Sequence, residues 1–322
     1  MFIYLLFILG FVSLVKGADW LVAGSASIAK KYNVSDLVIG LTIVSMGTSM
    51  PELIVNILAS ASDASDIAIG NVIGSNIANV LLILGIAACI FPLKIKESTL
   101  FSEIPYSMLA LLIVAFAANA TIFYPEYGHM ISRFDGVIFL FFFGLFILYI
   151  IKLARGGRTD MIEDAPEKDL LMGKSILFVL LGMTGLFLGG KWVVDGAVAI
   201  AQEFGLSENM IGLTVVAIGT SLPELVTSAM AAYKKNTDIA IANVIGSNIF
   251  NLLWVLGLSA IINPMKYDPA INTDVIVLIV ASCLIILSIM IGKKGKMQIG
   301  KPTGILFLTC YIGYIAFVII RG

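Results

Sequence analysis

Two glutamates stand in the middle of apolar stretches, each just past a Gly-Thr-Ser and a proline. The first closes GLTIVSMGTSMPE, Gly40 to Glu52, and the second closes GLTVVAIGTSLPE, Gly212 to Glu224. Pro51 carries no N–H, so the Gly47 carbonyl four residues earlier has no helical partner, and the proline ring pushes it aside. A helix must kink or open there, and the freed carbonyls must face water, protein or an ion. Thr48 and Ser49 add hydroxyl oxygens, and Glu52 adds a carboxylate one turn beyond Thr48. Gly219, Thr220, Ser221, Pro223 and Glu224 repeat the set. These are hard oxygen donors of the kind that hold Ca²⁺ or Na⁺, without the thiolate or imidazole that softer metals prefer. Two ionised carboxylates facing each other in a low dielectric repel. One divalent cation cancels both, and so do two monovalent cations or two protons. A site that takes either set in turn is an exchanger's site.

A second block follows each glutamate at the same distance: DIAIGNVIGSNIAN, Asp66 to Asn79, and DIAIANVIGSNIFN, Asp238 to Asn251. The offset is 172 throughout, and 23 of the 40 positions from Gly40 to Asn79 match their counterparts. Spacings of four put Asn71, Ser75 and Asn79 on one helical face, and likewise Asn243, Ser247 and Asn251. Ser75, Ser247, Asn79 and Asn251 are expected to line the ion path with neutral oxygens. Asn71 and Asn243 are read as hydrogen-bonding glue between helices, and Gly70, Gly74 and Gly246 as points of close helix approach. Asp19, Lys191 and Asp195 fall near span ends, where local pairing suffices. Asp63, Asp66, Glu203 and Glu208 are ordinary loop charges, as is His129, the single histidine. Cys89, Cys283 and Cys310 are far apart in apolar segments and read as packing residues.

The elements that must position these groups follow from composition. The chain has 322 residues, is 59% hydrophobic and 13% charged, and has a mean hydropathy of +1.03. That describes an all-α polytopic membrane protein. A net charge of −1 gives no footing for nucleic acid. Ten spans are expected at about 2–29, 36–60, 67–91, 103–121, 135–152, 174–202, 208–232, 239–262, 273–292 and 302–320. The apolar start, Phe2 to Val15, lacks the basic region of a signal peptide. Trp20 and Gly24 recur as Trp192 and Gly196, so this segment belongs to the repeated unit and is expected to stay in the mature protein. The odd-numbered connections hold 15 Lys and Arg, against 3 in the even connections and the C-terminus. The odd connections are therefore expected in the cytoplasm and both termini outside, in a cell membrane. Five spans per half is odd, so the halves lie upside down to one another. The expected architecture is two inverted five-helix repeats, 1–154 and 174–322, joined by a cytoplasmic linker, 155–173, with helices 2 and 7 interrupted.

The doubled motifs GTSMPE with GSNIAN and GTSLPE with GSNIFN resemble those of the calcium/cation antiporter superfamily, and within it the prokaryotic sodium/calcium exchangers. The resemblance runs over essentially the whole chain. It implies two mobile helices sliding across a bundle of eight. It also implies that Glu52 and Glu224 bind calcium and sodium, with Thr48, Ser49, Thr220 and Ser221 lining the same sites. The Ser45 and Ala217 carbonyls and the Ser75 and Ser247 hydroxyls would complete outer sodium sites, and Asn79 and Asn251 would flank the centre. Calcium and sodium would be cargo, with the lipid bilayer as surroundings, no cofactor and no obligatory protein partner.

Three readings were weighed. Sodium/calcium exchange is favoured. A proton/calcium or less selective cation exchanger of the same fold is the alternative, although its proton-coupled branch typically carries an Asn-x-x-Glu form of the first motif. A membrane-embedded hydrolase using Glu52 and Glu224 as an acid/base pair lacks a second catalytic constellation, a Gly-x-Gly-Asp pattern and an intramembrane histidine. Potassium-dependent relatives place an aspartate where this chain has Asn251. Calcium uptake is accordingly expected to be unchanged when external potassium is replaced by choline, as read by calcium-45 accumulation in proteoliposomes.

Overall fold

The computed structural model describes residues 2–120, 128–156, 170–203, 217–291 and 297–321. The first half contains α1 (Phe2–Lys31), then a second span built from α2 (Asp36–Ile39), a π-helical turn (Gly40–Val44), α3 (Ser45–Thr48) and α4 (Met50–Ala61). The third span is α5 (Ser65–Ile77), a π-helical turn (Ala78–Ile83) and α6 (Leu84–Ile90). Strand β1 (Leu93–Lys94), α7 (Glu97–Phe101), α8 (Glu103–Ala118), β2 (Met130–Ile131) and α9 (Arg133–Arg155) complete it.

The second half repeats this order. It contains α10 (Met172–Glu203), α11 (Ala217–Thr220), α12 (Leu222–Tyr233), α13 (Thr237–Ile249), a π-helical turn (Phe250–Val255) and α14 (Leu256–Ile262). Then come β3 (Met265–Lys266), a 3-10 turn (Pro269–Ile271), α15 (Asn272–Ile291), β4 (Gln298–Ile299) and α16 (Lys301–Arg321). From α5 to β1 every boundary recurs 172 residues later. The last strand and helix of each half recur at 168, the four-residue slip visible in Gly136-Val137 against Gly304-Ile305.

Among the described residues eight helices are long and apolar enough to cross a membrane, and a ninth span is the pair Asp36–Thr48 and Met50–Ala61, bent by 47°. Of the expected seventh span, residues 208–216 lie outside the described residues, and the rest is α11 and α12. The fourth span starts at Glu97 rather than near 103, with a break at Ser102 (φ −123°, ψ −69°). The two short ribbons were not foreseen. Each joins one half to the other: Leu93 pairs with Ile299 and Lys94 with Gln298, while Met130 pairs with Lys266 and Ile131 with Met265. The residue before Pro92, Phe91, is extended (φ −148°, ψ 136°), as a pre-proline position requires.

Helices α1 and α10 pack antiparallel through glycines. Gly10, Gly17 and Gly24 are the 172-offset counterparts of Gly182, Gly189 and Gly196. A Cβ on Gly17 would lie 2.9 Å from the Gly182 carbonyl oxygen, and one on Gly10 2.9 Å from that of Gly189. Such backbone approach is how helices associate where lipid removes the hydrophobic drive. The Ser13 hydroxyl donates to the Gly185 carbonyl at 2.7 Å, and these two residues are counterparts, so the pseudo-twofold axis runs between them.

The pair sits asymmetrically on the rest of the molecule. Helix α1 packs along α12, whereas its counterpart α10 barely touches α4. Lys234, just past α12, donates to the Asp19 carboxylate at 2.8 Å and to the Asp19 carbonyl at 3.0 Å. The counterparts of these two are Lys191 and Ser62, which cannot form an ion pair. Asp19 is thus a structural charge, as its position near a span end suggested. Gly182→Ala should cost about 1–3 kcal/mol, because its Cβ would meet backbone atoms of α1 at 2.7–2.8 Å. Gly144→Ala, with open space around it, should be neutral; thermal unfolding in detergent reads both.

Candidate functional site

The second span breaks at a single residue, Ser49 (φ −83°, ψ 10°), between α3 and α4. Ser221 (φ −84°, ψ 4°) does the same between α11 and α12. The helix restarts at once, with Pro51 and Pro223 in the first turn, where a missing N–H costs nothing. Glu52 and Glu224 fall in that same turn, so each carboxylate stands at the positive end of a half-helix. Both are buried, at 0% and 1% exposure. Gly47 and Gly219 let α10 pass directly over the two breaks: a Cβ on Gly47 would lie 2.3 Å from Met183 Cε, and one on Gly219 2.2 Å from Val194 Cγ2.

Each carboxylate is held by the other half of the molecule. The Ser49 hydroxyl donates to Glu224 Oε1 at 2.7 Å, and the Ser221 hydroxyl to Glu52 Oε1 at 3.4 Å. Thr48 donates to Asn243 Oδ1 at 3.1 Å, and Thr220 to Asn71 Oδ1 at 3.4 Å. These four bonds form two pairs related by the 172 offset. Antiparallel halves exchanging identical contacts are the intramolecular form of an isologous interface.

The asparagines divide into two kinds. Asn243 accepts from Thr48 and donates to the Glu224 carbonyl at 3.3 Å and to Ser228 Oγ at 2.9 Å, so it is glue between helices, as expected. The Glu52 carbonyl is held instead by Asn56, at 2.9 Å. Asn79 and Asn251 donate only through their amide nitrogens, to Asn248 Oδ1 at 2.9 Å and to Ser75 Oγ at 3.1 Å. Their carbonyl oxygens are buried with no partner, as are Glu52 Oε2, Glu224 Oε2 and Ser247 Oγ. Buried polar atoms are normally satisfied. The Asn71 amide nitrogen is also buried without a partner, but the carboxylate, amide and hydroxyl oxygens are donors of the kind a hard cation takes. Among the described residues no three His, Cys, Asp or Glu come together to hold a metal.

The structure thus brings Thr48, Ser49, Glu52, Thr220, Ser221, Glu224 and Ser247 to one buried centre, and buries Asn79 and Asn251 in the π-helical turns of the neighbouring spans. Two expected ligands are already engaged. The Ser45 carbonyl accepts from the Ser49 N–H at 3.0 Å and the Thr48 hydroxyl at 3.3 Å. Ser75 accepts from Asn251 and donates to the Val72 carbonyl at 3.1 Å. Ala217 opens α11, and its side chain lies outside the described residues. Asn248, Asn56 and Ser228 were missed by the sequence reading. The signal for Asn248 was present, since Asn76 and Asn248 are the Asn of the doubled Gly-Ser-Asn. Glu103 and Asp274, also buried acids, are tied to tyrosines: Glu103 accepts from Tyr149, and Asp274 from Tyr314 at 3.0 Å and from Arg321 at 2.9 Å.

A sequence model of the family described as sodium/calcium exchanger protein matches residues 2–152 and 174–320. The chain belongs to this family. It is 35% identical to a sodium/calcium exchanger, MaX1, of Methanosarcina acetivorans, covering 97% of each chain. It is 37% identical to the inner membrane protein YrbG of Escherichia coli, over 97% of this chain and 95% of the relative. The solved sodium-calcium exchanger NCX_Mj, soaked with 10 mM Na⁺ and no Ca²⁺, superposes with a TM-score of 0.79 at 36% identity over 97% of both chains. The family is one of membrane exchangers rather than of enzymes.

The bonding pattern separates structural from open groups. Asn243→Leu should cost about 1–3 kcal/mol by stranding buried partners. Ser247→Ala, which removes a hydroxyl without a protein partner, should stay within about 0.5 kcal/mol. Thermal unfolding in ion-free detergent solution distinguishes the two.

Proposed function

We propose that this protein exchanges sodium for calcium across the membrane by alternating access at a site built on Glu52 and Glu224. The observation that carries the reading is the pair of buried carboxylates. Each is held through one oxygen by the opposite half and leaves its other oxygen unpartnered, as the buried Asn79 and Asn251 amide oxygens also are. A calcium ion neutralises both acids at once, and sodium ions do so in number. Thr48, Ser49, Thr220 and Ser221 line this centre, Asn79 and Asn251 flank it, and Ser247 offers a further oxygen. Ser45, Ala217 and Ser75 belong to it in a conformation where their present bonds are exchanged for ions.

The architecture we assign is ten spans in two inverted repeats, 1–154 and 174–322, joined by a linker at 155–173. The exchange of contacts between halves and the antiparallel α1–α10 pair support it. With the Lys-rich connections in the cytoplasm, both termini lie outside. The end at which α1 closes on α12 and Lys234 pairs with Asp19 is then the cytoplasmic one, and the structure is one of two access states. Calcium and sodium are the cargo, and no cofactor enters the cycle. Sodium as the coupling ion follows from the Thr-Ser-x-Pro-Glu form of both motifs and from the relatives named as sodium/calcium exchangers.

Proteoliposomes loaded with sodium should take up calcium-45 down the outward sodium gradient, with choline-loaded vesicles as control and pH clamped on both sides. Glu52→Gln and Glu224→Gln should each reduce this uptake at least about a hundredfold, since each leaves half the divalent charge unmatched. Uptake indifferent to sodium and driven by a pH gradient would instead assign the protein to proton/calcium exchange.

A further inference from the structure

The two halves agree in every bond to the carboxylates and disagree one layer further out. In one half the Asn251 amide donates to the Ser75 hydroxyl at 3.1 Å, whose own proton goes to the Val72 carbonyl. By the 172 offset, Asn79 should donate to Ser247. It donates to Asn248 Oδ1 instead, at 2.9 Å, and Ser247 Oγ is left buried without a partner. The counterpart of Asn248 is Asn76, which turns away to the Val72 carbonyl of its own helix at 2.7 Å. Asn248 is 4% exposed and Ser247 and Asn251 are 0%, so all three lie away from bulk solvent.

An amide has two donors on one side and two acceptor lone pairs on the other, so whichever atom is held fixes which faces the cavity. Asn248 holds the Asn79 nitrogen. That leaves the Asn79 oxygen without a partner and, in the same stroke, keeps the Asn79 nitrogen off Ser247. We infer that Asn248 is a positioning residue that sets the affinity for sodium by keeping one of the two pseudo-equivalent outer sites open. The open site has the Ser247 hydroxyl facing Glu224 with no amide donating to it, and the Asn79 oxygen without a partner. In its counterpart the Ser75 hydroxyl is spent on Asn251. The outer sites are therefore unequal in this state. This inference rests on the exchange reading above.

The test is Asn248→Leu, which keeps the volume and removes the acceptor. The Asn79 amide is then released onto Ser247, as Asn251 is onto Ser75. The apparent KM for sodium should rise about five- to tenfold, the loss of one hydrogen-bonding ligand, with the maximal rate within about twofold. Asn248→Asp, which retains an acceptor oxygen at the same place, should restore the hold on Asn79 and bring the sodium KM back down. In Ser247→Ala or Asn79→Ala backgrounds the further change to Asn248→Leu should add less than about twofold, because it acts through those groups. Additive effects, or an Asn248→Leu protein with unaltered sodium KM, would overturn the inference. Equilibrium calcium-45 binding to the unaltered protein and to Glu52→Gln is run alongside. A protein that binds no calcium in a Glu52-dependent way defeats the exchange reading itself, whereas intact calcium binding with an unmoved sodium KM defeats only the role of Asn248.

Discussion

Two carboxylates share one dry centre, and each is gripped by a serine from the opposite half. An acid at the centre of a membrane-spanning helix costs about 2.5–3.5 kcal/mol on insertion scales. One hydrogen bond returns about 0.5–1.5 kcal/mol net. The serines alone therefore cannot offset the burial of Glu52 and Glu224. Other features of the centre reduce the same cost. The chain breaks at Ser49 and Ser221, so that each acid stands at a half-helix N-terminus. Asparagines rather than further acids surround them. Glycines at 47 and 219 let α10 seal the breaks against lipid. What remains uncompensated is on the side of the unpartnered oxygens, and a cation is the group that fits there.

The symmetry is strict where it concerns the acids and lapses outside them. Ser49 with Glu224 and Ser221 with Glu52 are the same bond twice, as are Thr48 with Asn243 and Thr220 with Asn71. Farther out, the Glu52 carbonyl is held by Asn56 and the Glu224 carbonyl by Asn243, and the Asp19–Lys234 ion pair has no counterpart. A perfectly symmetric inverted molecule would have two access states of equal energy. Departures from symmetry are what separate their energies. The ion pair, partly exposed, contributes on the order of 0.2–1 kcal/mol, a few-fold in population, which is the scale on which ion gradients can still drive the transition.

Much of this was legible in the chain because the repeat carries its own evidence. An acid four residues past a hydroxyl and one past a proline fixes the break, the buried charge and the donor type. A glycine every seven residues, duplicated at 172, already encodes the antiparallel α1–α10 contact. What the sequence left open was which partner each side chain chooses. The Ser45 carbonyl and the Ser75 hydroxyl were expected to be free for ions, and both are taken by neighbours whose identity depends on helix apposition. Asn248 escaped notice for a related reason. The spacing-of-four argument treats the helix as regular and leaves Asn76 and Asn248 off the chosen face. The π-helical turns beginning at Ala78 and Phe250, which hold Asn79 and Asn251, could not be read from residue types. Such insertions gather at functional sites. The two ribbons escaped because strands of two residues carry no periodicity.

Coupling of two ion fluxes, on the proposed reading, needs no separate gate. A carrier whose loaded and empty forms both crossed between states would leak. Here the empty centre holds two carboxylates whose second oxygens lack any protein partner. To change access in that condition, α1 and α10 would have to move across bare buried charge, at the cost that makes intramembrane acids rare. Loaded with one calcium or with several sodium ions, the centre is neutral and that cost vanishes. The same two unpartnered oxygens thus serve for binding and for preventing futile movement.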